Sequence, residues 1–475
     1  MYKNTNISGQ LRFFLDSLFI LLFLTGDILI AKQVLSSPSF KLYLLVSGFI
    51  KIFFILYNAR KFILRNISKK TLENFSSFFI PKTPAKKSFE ATFYGKSGSV
   101  VIPTYKPSIE TYNLIKSISD WFPKVSIVVV DDSSPNDSET QNIFSMISEL
   151  ARFNYKIIIL RTAENQMKAG ALNYGVNYLR SLVYQRPDVV FTFDDDVKII
   201  QSTIPEMINE LYKHSKIGIV CSQVRVINKN KNLLTRMQAM EYHSFNITKI
   251  ADNGFFRGPL VMQGMLAAIR MTVLEDLNGF SKGHLIEDYD FTVRSKIKGW
   301  EVRISQTAVA WTKVPETFSS LWKQRARWTS GGLRVIIQNW NWFIAIYQDL
   351  VGHFTFIVLL ILITLSFIYA GTYKESAFTP VLFAISSINF AVIIVYTVFT
   401  HLSYPDRDFK DSILKFTFFP EFIYSNLLSL ILLGSYLFLF YSFAASKFVT
   451  GINNLYKLSQ SGFSRIGYGA AWGTR

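Results

Sequence analysis

The chain has 475 residues, 49% hydrophobic and 18% charged, with 43 phenylalanines and a formal net charge of +18. That length accommodates one catalytic domain plus several membrane helices, and the apolar blocks at both ends exclude a wholly soluble chain. A single cysteine, Cys221, excludes an intramolecular disulfide framework and a cysteine-rich metal site, and reads as a small core residue.

From the N-terminus, Phe13 to Ala31 is an apolar stretch of the length that crosses about 30 Å of hydrocarbon. No small-residue cleavage site follows, so an anchor is expected rather than a signal peptide. Leu42 to Tyr57 follows a short link, and residues 1–64 are expected to form a membrane hairpin with both ends on one side. Asp16, Asp27 and Lys51 lie in or near these spans; Asp27 and Lys51 either pair across the hairpin or reach the headgroups by snorkelling. In the linker over 65–95, Arg65, Lys69, Lys70, Lys82, Lys86 and Lys87 follow Arg60 and Lys61, and Glu73 is the one acid between Arg60 and Lys87. The positive-inside rule puts this linker and the domain after it in the cytosol. The positive charge therefore points to a lipid surface and not to nucleic acid.

Residues 96–332 alternate short β-rich runs with helical stretches, the pattern of an α/β domain with a mostly parallel sheet. Strands are expected at Ser99–Pro103, Val125–Val130, Lys156–Leu160, Val189–Phe193 and Ile217–Val220, and helices at Ile109–Trp121, Asp137–Phe153 and Ala169–Tyr184. Polar residues collect at the strand ends, where open α/β sheets bind ligands.

Asp131 and Asp132 end the second strand, where carboxylates can accept hydrogen bonds from a nucleobase N–H or a ribose hydroxyl; in isolation they are equally ordinary turn residues. Lys168-Ala169-Gly170 offers a cation and small residues at a helix start. Asp194-Asp195-Asp196 follows the fourth strand, and a spacing of two lets Asp194 and Asp196 share one hard divalent cation. Such an ion would neutralise charge on a departing diphosphate; the bland alternative is an acidic turn. Glu287 and Asp288 open another helix, either as first-turn acids that complement its dipole or with a carboxylate as general base. In Gln324-Arg325-Ala326-Arg327-Trp328 two guanidiniums can grip phosphate oxygens while the indole stacks on a sugar; a basic interfacial helix is the alternative.

Beyond this run, 333–350 carries Trp340, Trp342 and Tyr347 and is expected to lie in the membrane interface. Over 351–449, Phe354–Ala370 and Val381–Phe399 read as transmembrane helices that return the chain to the cytosol at Arg407 and Lys410. Phe422 to about Ala444 is a further apolar segment. One crossing there would put the basic tail, 450–475, outside, so a re-entrant, interfacial or doubly crossing course and a cytosolic tail are expected.

Together, Val101-Ile102-Pro103-Thr104-Tyr105, Asp131-Asp132, Lys168-Ala169-Gly170-Ala171-Leu172-Asn173, Asp194-x-Asp196, Glu287-Asp288 and the Q-R-x-R-W run resemble the membrane-embedded processive glycosyltransferases of family 2. Those are the cellulose, chitin, hyaluronan and poly-N-acetylglucosamine synthases. Val314-Pro315-Glu316-Thr317 is also similar to this family, and Trp472-Gly473-Thr474-Arg475 resembles the gating loop of hyaluronan and chitin synthases.

The resemblance implies a GT-A fold inserted between membrane segments, inversion at the anomeric carbon, a UDP-sugar donor, a growing glycan acceptor and Mg²⁺ or Mn²⁺. It implies that Asp131, Asp132, Thr104 and Lys168 serve the nucleotide and that Asp194 and Asp196 serve the diphosphate and metal. Asp288 would be the base with Glu287 beside it. Gln324, Arg325 and Arg327 would hold the diphosphate, Trp328 would meet the acceptor, and Trp472, Gly473, Thr474 and Arg475 would close over UDP. Ile286 stands where cellulose-type enzymes carry Thr, and no F-x-V-T motif is present, which weakens a cellulose assignment. The Ile286-Glu287-Asp288 run also departs from the Gly-Asp-Asp usual in hyaluronan synthases.

The expected activity is processive synthesis and secretion of a β-linked polysaccharide, with UDP-N-acetylglucosamine slightly favoured over UDP-glucose. A non-processive transfer to a membrane lipid and a catalytically silent transporter or scaffold are the alternatives. Whether accessory subunits take part is open.

Overall fold

The structure is a computed structural model that describes residues 96–254, 256–342, 345–350, 400–416 and 419–448, with scattered positions between 352 and 361. The expected hairpin over 1–64, the basic linker, most of Phe354–Ala370, all of Val381–Phe399 and the motif at 472–475 lie outside the described residues. Residues 96–346 and 408–448 belong to one compact unit, and the described residues of 347–407 to another.

Five strands come where the β-rich runs predict them: β1 (Gly98–Thr104), β2 (Ser126–Asp131), β3 (Ile157–Arg161), β4 (Val189–Phe193) and, longer than expected, β6 (Ile217–Val226). The Val and Ile runs of β1, β2 and β4 are buried on both faces, as strands sandwiched by helices must be, while the edge strand β3 is half-buried. Val100, Ile102, Ile127 and Val129 face one layer with Leu114, Ile115 and Ile118 of α1 (Ile109–Trp121) and Ile143 and Ile147 of α2 (Ser138–Phe153). Their alternates Val101, Val128 and Val130 face the other layer with Leu172, Val176 and Leu179 of α3 (Met167–Ser181). Each such side chain, fully removed from water, contributes about 1.5–3 kcal/mol. Asp137 caps α2 by accepting the Thr140 N–H at 2.8 Å, so the helix starts one residue after the expected position.

The sheet has the order β3-β2-β1-β4-β7-β6-β8-β5. β1 to β4 run parallel, but β7 (Leu266–Arg270) lies antiparallel between β4 and β6, and the two-residue β5 (Lys198–Ile199) is antiparallel to β8 (Glu301–Thr312). The expected mostly parallel sheet is therefore a mixed one, parallel only in its first half and again between β6 and β8. β1 has β2 on one side and β4 on the other, so the chain reverses its lateral progress there, and a crevice opens beyond the carboxyl ends of these strands.

Around this sheet lie α4 (Thr203–Leu211), α5 (Leu233–Ala251), α6 (Met271–Asp276), α7 (Glu287–Ile297) and α8 (Phe318–Gln338). Thr317 caps α8, accepting the Ser320 N–H at 3.2 Å. The Q-R-x-R-W run sits within α8, which continues unbroken past residue 332, so Leu333 to Gln338 share one helix with the motif rather than opening a separate interfacial one. α9 (Phe409–Phe416) precedes α10 (Phe419–Phe448), which packs on α8 through Trp322 and Ala326 against Leu427, Leu428, Ile431 and Phe438. One stretch of α10, Ile423–Tyr441, has a mean hydropathy of 1.8 and the length to cross a membrane. A single continuous helix thus replaces the re-entrant or doubly crossing course expected there.

Candidate active site

The crevice is built from strand ends. Thr104, the last residue of β1, donates its hydroxyl to Asp195 Oδ2 at 2.7 Å. Burial alternates along the acidic turn after β4: Asp195 is buried and tied back to the sheet, while Asp194 and Asp196 are partly exposed. The segment is a turn rather than a strand continuation, yet the alternation expected from spacing two is kept. Asp131 is saturated, accepting the Ser134 N–H at 2.9 Å and pairing with Arg161 at 2.9 Å. Asp132 accepts from Thr162 Oγ1 at 3.0 Å and from the Gln166 N–H at 2.8 Å through Oδ1, while its buried Oδ2 has no hydrogen-bond partner. Burial raises the Asp132 carboxyl above the ordinary range, against the pull of those donors. Of the two adjacent carboxylates, Asp132 is the one with acceptor capacity to spare.

Lys168 is the second residue of α3, where a cation opposes the helix dipole. Two carboxylates compensate: its Nζ lies 2.7 Å from Asp194 Oδ1 and 3.0 Å from Glu287 Oε1, and it donates to the Gly264 carbonyl at 3.1 Å. Burial alone would depress the ammonium, but the charges of Asp194, Glu287 and Asp288 outweigh it and hold Lys168 above the usual lysine range. One buried cation thus joins acids far apart in sequence.

Asp288 stands beside Glu287 in the first turn of α7. It accepts the Gly264 N–H at 3.2 Å through Oδ2 and its neighbour Tyr289's N–H at 2.8 Å through Oδ1. Burial, and then the Glu287 charge, push its carboxyl up to about 6, with Lys168 and Lys249 pulling the other way. The third first-turn acid, Asp290, is turned to Arg294 at 2.8 Å, whose guanidinium also holds the Leu277 and Gly279 carbonyls. Asp290 thus ties the helix start to the neighbouring loop, while Glu287 and Asp288 lie beside Lys168 and Gly264.

Gly264 joins this cluster although no motif marked it. Its N–H serves Asp288, its carbonyl serves Lys168, and a β-carbon there would lie 2.6 Å from Asp288 Oδ2. Its backbone is not left-handed, so glycine is required by space. Gly264→Ala is expected to fold normally and to turn the Asp288 carboxylate aside, lowering turnover about 10²-fold, as a misplacement near 1 Å does. Melting temperature and initial rate measured on one preparation check this; an unchanged rate would refute it.

On α8, Arg327, Gln324 and Trp328 lie along one face by their spacings of three and four, with Arg325 further round. Arg327 and Gln324 are partly buried. Arg325, expected in the diphosphate clamp, is 5% exposed and its Nη2 sits 2.5 Å from Glu241 Oε2 of α5. Its guanidinium also lies 4.2 Å from the Trp328 ring centre.

Among the described residues no three His, Cys, Asp or Glu side chains converge as a metal cage. Asp194 and Asp196 flank a buried Asp195, two partly exposed carboxylates of one turn. This donor set fits a hard divalent ion that draws its remaining ligands from substrate phosphate and water.

Residues 99–277 match the family model "Glycosyl transferase family 2", and residues 189–403 match "Glycosyl transferase family group 2". A probable glycosyltransferase of Bacillus subtilis, YdaM, is 28% identical over 243 residues, 50% of this chain and 56% of that protein. The poly-beta-1,6-N-acetyl-D-glucosamine synthase of Staphylococcus epidermidis is 25% identical over 63% of this chain and 73% of its own. That of Staphylococcus aureus strain COL is 28% identical over 46% and 50%. The chain thus spans about half the length of two of these three relatives. Among solved structures, a mannosyltransferase from Pyrobaculum calidifontis in complex with GDP-Man and Mn²⁺ superposes with a TM-score of 0.50 at 16% identity, over 79% of this chain and 98% of that one. That likeness extends to the GT-A-like α/β fold.

Proposed function

The chain belongs to the family 2 glycosyltransferases, and on that premise we propose that it is an inverting polysaccharide synthase that polymerises a β-linked glycan from a cytosolic UDP-sugar. UDP-N-acetylglucosamine is the favoured donor and UDP-glucose the second; the names of the staphylococcal relatives support the first. The observation that carries the proposal is Lys168, whose ammonium draws the Asp194 and Glu287 carboxylates to within 3.0 Å of one point beside Asp288. Donor chemistry and acceptor chemistry need such groups side by side.

In this mechanism Asp132 Oδ2 takes a nucleoside N–H or hydroxyl, with Asp131, Thr104 and Lys168 shaping that pocket. Asp194 and Asp196 would hold Mg²⁺ or Mn²⁺, which when bound neutralises charge on the diphosphate. An acceptor hydroxyl attacks the anomeric carbon from the face opposite the diphosphate. The new carbon–oxygen bond forms as the bond to the diphosphate breaks, the hydroxyl proton passes to Asp288, and UDP leaves. Gln324 and Arg327 hold the departing diphosphate, and Trp328 stacks on the acceptor sugar. Trp472, Gly473, Thr474 and Arg475 are proposed to close over UDP.

The protein is proposed to sit in the plasma membrane with several spans, its catalytic domain cytosolic and its product leaving through its own helices. The apolar Ile423–Tyr441 stretch, packed directly on the motif helix, supports that arrangement. Incorporation from a panel of radiolabelled UDP-sugars by purified protein in lipid vesicles with Mg²⁺ or Mn²⁺ tests it. High-molecular-weight product from one or two donors supports the synthase, and a single sugar on extractable lipid refutes it. Arg327→Ala is expected to weaken UDP binding about 10- to 150-fold, the loss of one charge-assisted hydrogen-bonded contact of about 1.5–3 kcal/mol. Isothermal titration checks this, and unchanged affinity would instead assign the arginine to lipid headgroups.

A further inference from the structure

The two arginines of the motif helix lie in different surroundings. Arg325 is 5% exposed, and its Nη2 is 2.5 Å from Glu241 Oε2. The same Glu241 oxygen accepts the Tyr424 hydroxyl of α10 at 2.6 Å. The guanidinium lies 4.2 Å from the Trp328 ring centre and 5.7 Å from that of Tyr242, and these two rings stand 6.4 Å apart. The flank of α8 beyond Arg325 carries Trp322, Ala326 and Thr329, which meet α10 through Leu427, Leu428, Ile431 and the Ser435 hydroxyl.

We infer that Arg325 is a positioning residue: paired with Glu241, it fixes the Trp328 indole and joins α8 to α5 and α10, leaving the diphosphate to Gln324 and Arg327. The assignment rests on the donor-binding reading given above. To grip a phosphate, Arg325 would have to leave Glu241, whose largely buried carboxylate would keep only the Tyr424 hydroxyl and no cation beside a polyanion. Held where it is, its planar cation lies against the indole, an arrangement that a guanidinium provides and an ammonium reproduces poorly. Because Tyr424 donates to the same carboxylate, any shift of α10 along α8 is felt at Glu241, then at Arg325 and Trp328. The helix proposed to contact lipid is in this way mechanically connected to the residue proposed to meet the acceptor sugar.

The test uses the full chain in detergent or nanodiscs, with UDP titration and steady-state kinetics on the wild type, Arg325→Met, Arg325→Lys, Glu241→Gln, Arg325→Met/Glu241→Gln and Arg327→Ala. Arg325→Met and Glu241→Gln are expected to keep UDP affinity and donor KM within about threefold of wild type and to lower kcat at least about tenfold, whereas Arg327→Ala loses UDP affinity. The double variant is expected to lose less than the product of the two single losses, since removing both partners strands neither charge. Arg325→Lys should recover part of kcat. A tenfold loss of UDP affinity in Arg325→Met with a neutral Glu241→Gln would overturn this assignment and return Arg325 to the clamp. A wild-type protein that binds no UDP would overturn the donor reading together with it. Should Arg325→Met fail to fold, Glu241→Gln and Arg325→Lys carry the same comparison, and a tenfold loss of UDP affinity in Arg325→Lys with a neutral Glu241→Gln overturns the assignment.

Discussion

Asp288→Asn is expected to lower sugar transfer by about 10²–10⁴-fold, the usual contribution of a positioned general base, while UDP binding stays intact. An amide keeps the size of the carboxylate and can still accept the Gly264 N–H through its oxygen, giving up only the hydrogen bond from its neighbour Tyr289's N–H. What is lost is the ability to take the acceptor proton. The wild-type enzyme should also show the titration of this group. Burial and the adjacent Glu287 charge push the Asp288 carboxyl up to about 6. Catalysis needs the deprotonated form, so the rate should be level above that value and fall as pH drops through it. The folded-state value lies above the ordinary one, so the folded chain takes up a proton that the unfolded chain does not until lower pH. Activity is then lost on acidification through that window while this group adds to folding stability. A pH–rate profile that keeps its acid limb in Asp288→Asn, or normal polymer yield from that variant, would remove Asp288 from the role of base.

The parts of this fold legible in the sequence are those in which local pattern and tertiary environment agree. β1, β2 and β4 are runs of Val, Ile and Phe that a sheet covered on both faces requires, and their expected limits fall within one residue of the observed ones. β7 was illegible for the opposite reason: Leu266-Ala267-Ala268-Ile269-Arg270 has little β-branched character and becomes a strand because β4 and β6 flank it. The candidate site divides in the same way. Carboxylates at a strand end or helix start stand out by position, so Asp131, Asp132, Asp194, Asp196, Glu287 and Asp288 could be named. Gly264 and Glu241 matter only through residues distant in the chain, Asp288 and Arg325, and nothing local marks them. The motif helix adds a geometric lesson. Two arginines two residues apart look interchangeable along the chain, but two helical steps carry them to different sides, one toward Glu241 and the other toward the face shared with Gln324.

Asp411→Ala should destabilise the docking of α9 by about 3–5 kcal/mol, the range measured when one member of a buried ion pair is removed. α9 has its polarity reversed: Asp411 is fully buried and Lys415 nearly so, while Phe409 is 79% and Ile413 48% exposed. Inside, Asp411 Oδ2 lies 2.5 Å from Lys229 Nζ and Oδ1 lies 2.7 Å from Arg236 Nη1, with Asp408 2.6 Å from the same arginine. Asp408 and Asp411 also accept each other's backbone N–H, at 3.0 and 2.9 Å, which ties the helix start into the charge cluster. Removing Asp411 leaves two buried cations facing Asp408, whose side chain is 41% exposed and whose attraction water screens. Phe409 and Ile413 point away from the domain and add no apolar contact to hold α9 there. Hydrogen exchange over 409–416 should therefore rise in Asp411→Ala, and that over β1 and β2 should stay as in wild type. Replacing Lys229 and Asp411 together by Met and Leu should restore much of the protection, because Arg236 is then the one cation left by the change and Asp408 still pairs with it at 2.6 Å. Protection unchanged in the single variant would mean that α9 is held by something other than this cluster, and the outward Phe409 and Ile413 would be the next contacts to remove.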